Sequence, residues 1–245
     1  MKFRTLVIGY SFALALFLFA RHRPDAAQAS GFHTVVDLTR SLNLDASHYR
    51  ISRAASPSAF MPVSVVQTDS RRGAAAQETH SATRIIAPAQ EVPGLWNVDQ
   101  IPAERLVAPL VVLDVTAQEH DRSDYQTSVE DIARWEHTNG EIPLGSVVIA
   151  RTGRNSTVRD MPVFSRDAAL FLVEGRKVLG LGSDAPSRGY AVPGAESYAL
   201  SHSVYQLSDV ANLDRVPDHG AVVIVAPMKV QGTTSTPARI MALVR

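Results

Sequence analysis

Cysteine is absent from the 245 residues. That excludes disulfides, thiolate nucleophiles and Cys-ligated zinc. A chain of this length does not need disulfides, because its core can be large enough without them. An excess of one charge sign is also lacking. Lys+Arg and Asp+Glu stand at 24 each, and no long basic run occurs. Nothing therefore points to a nucleic-acid partner. No G-x-S-x-G elbow exists, so a serine hydrolase has no support. Gly180-Leu181-Gly182 lacks the third glycine and a capped helix, so dinucleotide binding has little support. After residue 30 no two histidines stand at i,i+2 or i,i+4, so no local chelate is offered. Repeats and low-complexity tracts are missing as well.

What is present begins with an apolar run from Leu6 to Ala20, preceded by Lys2 and Arg4. A polar segment and the small-x-small pattern Ala27-Gln28-Ala29 follow. This is how a secretory signal reads. The run is short for a spanning helix, which needs about 20 apolar residues. The expectation is a signal over 1–29 and a single domain over 30–245, secreted or periplasmic. An uncleaved N-terminal membrane anchor is the alternative. Without 1–29 the chain loses Lys2, Arg4, Arg21, Arg23 and Asp25 and becomes mildly acidic.

Hydrophobic residues make up 45% of the chain and charged residues 20%, which suits one globular domain. Apolar, β-branched runs recur at Val35–Leu38, Val107–Val115, Val147–Ala150, Val178–Leu181, Ala221–Val225 and Ile240–Val244. Several are continuous rather than alternating, as in strands buried on both faces. Ser128 and Asp131 form a capping-box pattern for a helix through Ile132 and Trp135, stopped at Gly140. A second helix is predicted from about Ser165 to Glu174, stopped at Gly175. Alternating strands and helices give an α/β domain. Residues 50–80 read as irregular or short edge structure, and 183–200 as a loop rich in Pro and Gly.

The segment His80-Ser81-Ala82-Thr83-Arg84-Ile85-Ile86-Ala87-Pro88-Ala89-Gln90 is the most informative. It resembles the signature H-x-G-T-H-x-D-x-P-x-H of the cyclase family. That family of metal-dependent hydrolases includes kynurenine formamidase (arylformamidase) and isatin hydrolase. His80, Thr83 and Pro88, with the small Ala87 and Ala89, fall in register. Other similar segments are Val35-Val36-Asp37-Leu38-Thr39, Val98 to Val107, Val111 to Val115 and Ile142 to Gly153. Ala211-Asn212-Leu213-Asp214, Ala226 to Val230 and Pro237-Ala238-Arg239 continue the match. The resemblance implies a swivelling β/β/α fold, often assembled as dimers or tetramers. It also implies one or two divalent metals, zinc or manganese, held by His, Asp and Glu.

Such a metal lowers the pKa of bound water from about 15.7 to about 7 and polarises a carbonyl for hydrolysis. Its ligands must offer lone pairs. On the family pattern, His80 keeps a ligand position. Arg84 stands where a His ligand is expected and offers a permanent cation with no lone pair. Ile86 stands in place of an Asp ligand. Gln90 replaces the His of acid–base catalysis, and an amide has no useful pKa for that role. Arg40 replaces the His that usually closes the opening strand, and Ala82 replaces a Gly. Further along, the later His position falls on Glu196 and the Glu ligand on Ser208. His202 is the nearby histidine if that alignment slips.

The leading expectation is an exported, arylformamidase-like family member with a degenerate metal site: a non-catalytic pseudoenzyme, without a cofactor, that binds a small molecule or protein. Candidate ligand-binding residues are Arg84, Gln90, Trp96 and Glu196. Trp96 and Tyr190 offer aromatic pocket walls or ordinary packing. The runner-up is an active amide or lactam hydrolase with a rebuilt site, in which His80, Glu196 and His202 hold zinc or manganese. A third reading is a structural subunit of a homo-oligomer.

Overall fold

The computed structural model describes residues 31–41, 49–51, 65–67, 77–78, 82–121, 124–153, 162–185 and 194–245. The expected export segment, His80 and Tyr190 lie outside them. The strands in chain order are β1 (Thr34–Asp37), β2 (Tyr49–Ile51), β3 (Val65–Gln67), β4 (Gln77–Glu78), β5 (Arg84–Ile86) and β6 (Val107–Asp114). They continue as β7 (Val147–Arg151), β8 (Gly180–Ser183), β9 (Tyr205–Ser208), β10 (Ala221–Pro227) and β11 (Ser235–Val244). The helices are α1 (Thr116–Asp121), α2 (Val129–Asn139), α3 (Arg166–Leu170) and α4 (Ala195–Ser201).

Seven strands close into a barrel in the order β11-β10-β6-β7-β8-β9-β5, with β5 returning to β11. Closure leaves no unpaired edge within the ring. Strands β6 to β9 run parallel and are joined through the helices, as parallel pairs require. The other ring pairs are antiparallel. Strand β1 adds to the outside edge of β11. Strands β2, β3 and β4 form a separate three-stranded antiparallel sheet. The expected mixed α/β single domain is therefore present, in the β/β/α arrangement of a barrel, a small sheet and a helical layer.

The continuous apolar runs are explained by two cores. Leu110, Val112, Ile149, Leu207, Val223 and Ile240 fill the barrel. Val111, Val148 and Leu181 point outward against Ile132, Trp135, Leu172 and Ala199 of the helical layer. Strands buried on both faces have no polar side to alternate. Trp135 also donates its indole N–H to the Val112 carbonyl at 3.0 Å, fixing α2 on the barrel. No helix among the described residues is long and apolar enough to cross a membrane.

Helix α2 starts where the capping box was read. The Ser128 hydroxyl accepts from the Asp131 N–H at 3.3 Å, and Asp131 accepts from the Ser128 N–H at 2.8 Å. The second helix begins at Ser165, whose hydroxyl accepts from the Ala168 N–H, and its last turn widens to a π-helix over Phe171–Gly175.

Two expectations need correction. Part of the 183–200 loop is helical, since α4 occupies Ala195–Ser201. Its start at Gly194 has no side-chain cap, so the usual entry signal is missing. The Val178–Leu181 run also forms its strand two residues later, at Gly180–Ser183. Lys177 adopts a left-handed conformation (φ 49°) just before, and Val178 drops into the helix-side core instead.

Candidate functional site

Strand β5 carries the centre of the motif between β9 and β11. Successive side chains of a strand point to opposite faces. Ile85 belongs to the barrel core, so Arg84 and Ile86 face outward. On β9 the same logic sends Tyr205 and Leu207 inward and Gln206 and Ser208 outward. The antiparallel register puts Arg84 opposite Ser208 and Ile86 opposite Gln206. Ser235 of β11 lies opposite Ile86 on the other side. Thus Arg84 and Ile86 of β5 share one outer face with Ser208 of β9, a residue far from them along the chain.

Helix α4 packs across this region, against β9 and the Pro88–Gln90 turn. Gln206 donates its side-chain N–H to the Glu196 carbonyl at 2.9 Å, which fixes the first turn of α4 beside the face. Ile86 is sealed at 1% exposure and Ser208 at 6%. The hydroxyls of Ser208 and Ser235 are buried without a hydrogen-bond partner.

Thr83 shows why part of the motif's frame persists. Its hydroxyl accepts from the Arg40 N–H at 2.7 Å and donates to the Asp209 carbonyl. That single group joins the chain leaving β1 to the ends of β5 and β9. The Arg40 guanidinium then meets the buried Asp209 carboxylate, Nε to Oδ1 at 2.7 Å. Asp209 holds a left-handed backbone (φ 58°). Sequence reasoning noted Arg40 as a replaced His but missed Asp209 as its partner. Nothing local to Asp209 signals a contact with a residue so distant in the chain.

The other candidates disperse. Gln90 accepts a short hydrogen bond from the Thr234 hydroxyl, tying its turn to the chain entering β11. Trp96 packs against the barrel core and is covered by the Arg105 guanidinium, 5.1 Å from the ring centre. Arg105 is itself held by the Ser203 carbonyl at 2.9 Å. Trp96 is thus partly buried between the barrel core and Arg105. His202 lies at the far end of α4, with Nδ1 2.8 Å from the Tyr198 carbonyl and its ring against the Tyr198 ring. It is not brought to the face that carries Arg84 and Ser208.

These positions do not suit a divalent metal. Arg84 contributes positive charge and no lone pair, Ile86 contributes hydrocarbon, and Ser208 contributes a neutral hydroxyl. Among the described residues no three His, Asp or Glu side chains stand close enough to hold a metal ion.

Comparison with known proteins gives a consistent relationship. The family model described as "Putative cyclase" matches residues 36–189. Isatin hydrolase of Roseibium aggregatum is 30% identical over 189 residues, covering 67% of this chain and 72% of that protein. The structure of isatin hydrolase A from Labrenzia aggregata bound to benzyl benzoate superposes with a TM-score of 0.64 at 28% identity. That match covers 94% of this chain and 99% of the other. Isatin hydrolase A from Ralstonia solanacearum gives a TM-score of 0.66 at 29% identity, covering 90% and 95% of the two chains. With the closed barrel and the ordered motif matches, these likenesses establish that the chain belongs to the cyclase family, related to its metal-dependent hydrolases.

Proposed function

We propose that this cyclase-family protein is a non-catalytic relative of the family's hydrolases, exported from the cytoplasm, that binds a small ligand or protein partner at the altered site. The observation that carries this reading is the shared outer face of Arg84, Ile86 and Ser208. Metal-assisted hydrolysis needs lone-pair donors around the ion and an open coordination position. A fixed cation, a buried isoleucine and a neutral hydroxyl remove that donor set together. Gln90 adds to the case, since an amide cannot cycle a proton as an imidazole can. The N-terminal pattern through Ala29 supports export.

The test is metal analysis of the purified full-length protein, with hydrolysis assays on an arylformamide and on isatin. Well under one equivalent of zinc or manganese and no turnover are expected. Stoichiometric metal with chelator-sensitive turnover would sink the reading and establish the active amide or lactam hydrolase in its place.

Self-association is part of the proposal. The helices cover β6 to β9, whereas the outer face across β1, β11, β10 and β6 carries Val35, Leu243, Val222, Met241, Ile224 and Val107. Val35 is 48% exposed and Val107 51%. A contiguous apolar sheet face of this kind supports pairing with a second copy of the chain. Light scattering showing only monomer at high concentration would count against it.

A further inference from the structure

Resting on the self-association reading, we infer that Met241, in the middle of the exposed apolar face, is an oxidation site whose conversion to the sulfoxide separates the paired copies. Met241 is half-buried on β11, with Asp37 opposite it on β1 and Ile224 opposite it on β10. Val107 of β6 lies beyond Ile224 in the same row. The row alongside is Val35, Leu243, Val222 and Pro109. A thioether suits such a position, because it is apolar and flexible and fills irregular gaps between facing side chains.

The face also suits a copy of itself. Asp37 and the neighbouring Arg239 are already paired, Nη2 to Oδ2 at 2.8 Å, so they add no net charge to the contact. In a two-fold pair each copy presents this same patch. Hydrocarbon then meets hydrocarbon, with one balanced ion pair from each side. Four strands about 4.8 Å apart, with a third outward row at Arg239 and Ala226, span roughly 400 Å2. That is about half of the ~800 Å2 per partner that a standard interface buries. The pairing is therefore weak and reversible, which keeps a population of free copies whose Met241 meets solvent.

The chain holds no cysteine. Hydrogen peroxide has no thiol to consume it first, so thioether sulfur is the sulfur left to oxidise. In the step, a sulfur lone pair attacks one peroxide oxygen and the O–O bond breaks. The transferred oxygen gives its proton to the departing hydroxide, which leaves as water. Sulfur loses two electrons and the peroxide gains them. The product carries a polar S–O group, hydrated on a free copy and stripped of water in a pair. A two-fold contact buries it twice. Met228 is more open, at 59% exposure, but it follows β10 and stands outside these rows, so its oxidation leaves the contact alone.

The experiment treats the full chain with hydrogen peroxide and places the added oxygen by peptide mass spectrometry. Self-association is followed by sedimentation across a concentration series. Oxidation at Met241 should weaken pairing at least about tenfold. Met241→Gln, a polar side chain of similar length, should weaken it without peroxide. Met241→Leu should give one affinity before and after treatment, whereas Met228→Leu should respond as the parent does. The thermal midpoint of the dilute, unpaired chain should not move on oxidation, which separates loss of the contact from damage to the fold. Met241 left unoxidised, pairing unchanged after its oxidation, a Met241→Leu chain that still dissociates under peroxide, or a lowered midpoint would each overturn the inference. A parent chain that stays monomeric at every concentration overturns the self-association reading itself.

Discussion

A Cβ atom placed on Gly180 would lie 2.4 Å from Cε2 of Tyr205. The two residues face each other across the parallel β8–β9 pair inside the barrel. Tyr205 is 1% exposed, and its hydroxyl donates to the Arg105 carbonyl at 3.0 Å. Gly182 is crowded in the same way, with its added Cβ falling 2.9 Å from Cβ of Leu207. The two glycines are thus space for large side chains on the next strand. Gly180→Ala should destabilise the fold by about 1–3 kcal/mol through overpacking, measured by denaturant unfolding. The penalty should shrink in a Tyr205→Leu background, because the clash has one named partner. An additive pair of effects would refute this explanation.

Thr83 joins three segments through one hydroxyl, so Thr83→Val keeps the shape and removes only the bonds. The Arg40 N–H and the Asp209 carbonyl would then lose a buried partner. A loss of about 1–3 kcal/mol is expected. Amide hydrogen exchange should rise at Arg40 while α2 stays protected. Unchanged stability would mean that water replaces the hydroxyl.

Asp131 makes the stability of α2 depend on pH. Burial alone would push its carboxyl up, but hydrogen bonds from the Ser128 N–H, Tyr125, Arg134 and the Ser128 hydroxyl hold it below the ordinary Asp range. A carboxyl depressed in the folded state adds stability above its unfolded value of about 3.9. That contribution fades as pH falls through the folded value. Asp131→Asn should therefore cost about 1 kcal/mol at neutral pH, and the gap from the parent chain should narrow towards pH 3. A gap that is constant with pH would assign the loss to geometry rather than charge.

Restoring donors offers the most direct check of the altered site. Arg84→His, Ile86→Asp and Ser208→Glu in one chain place an imidazole and two carboxylates on the same outer face. This triple variant should gain zinc binding measurable by calorimetry, whereas Arg84→His alone should not, since one ligand does not hold a metal. Absence of zinc binding in a folded triple variant would show that the face differs from a metal site in more than its side chains.

Much of the architecture was legible because its signals are local. The Val107–Val115 and Val147–Ala150 runs report strands buried twice over, and Ser128, Asp131 and Gly140 mark the ends of a helix through its own hydrogen bonds. Strands β5 and β9 were not legible as strands. They hold three and four residues, too few to show a period, and they exist because partners distant in sequence flank them. The motif supplied the positions of Arg84 and Ile86, and the later family segment that of Ser208. Only the register could show that they meet. Gly180 and Gly182 resembled part of a nucleotide-binding loop, yet their cause lies one strand away in Tyr205 and Leu207.

Strand β11 sets the order of events in folding. It follows every other barrel strand along the chain, yet it pairs with β1, β10 and β5. While a chain is still being synthesised, the ring has an open seam until β11 has emerged. The surface of β5 and β9 that bears Arg84 and Ser208 is then bounded on one side only. Such contacts are slow to form because long loops must close before they are rewarded. The protein should thus acquire its site last, in the step that seals its barrel.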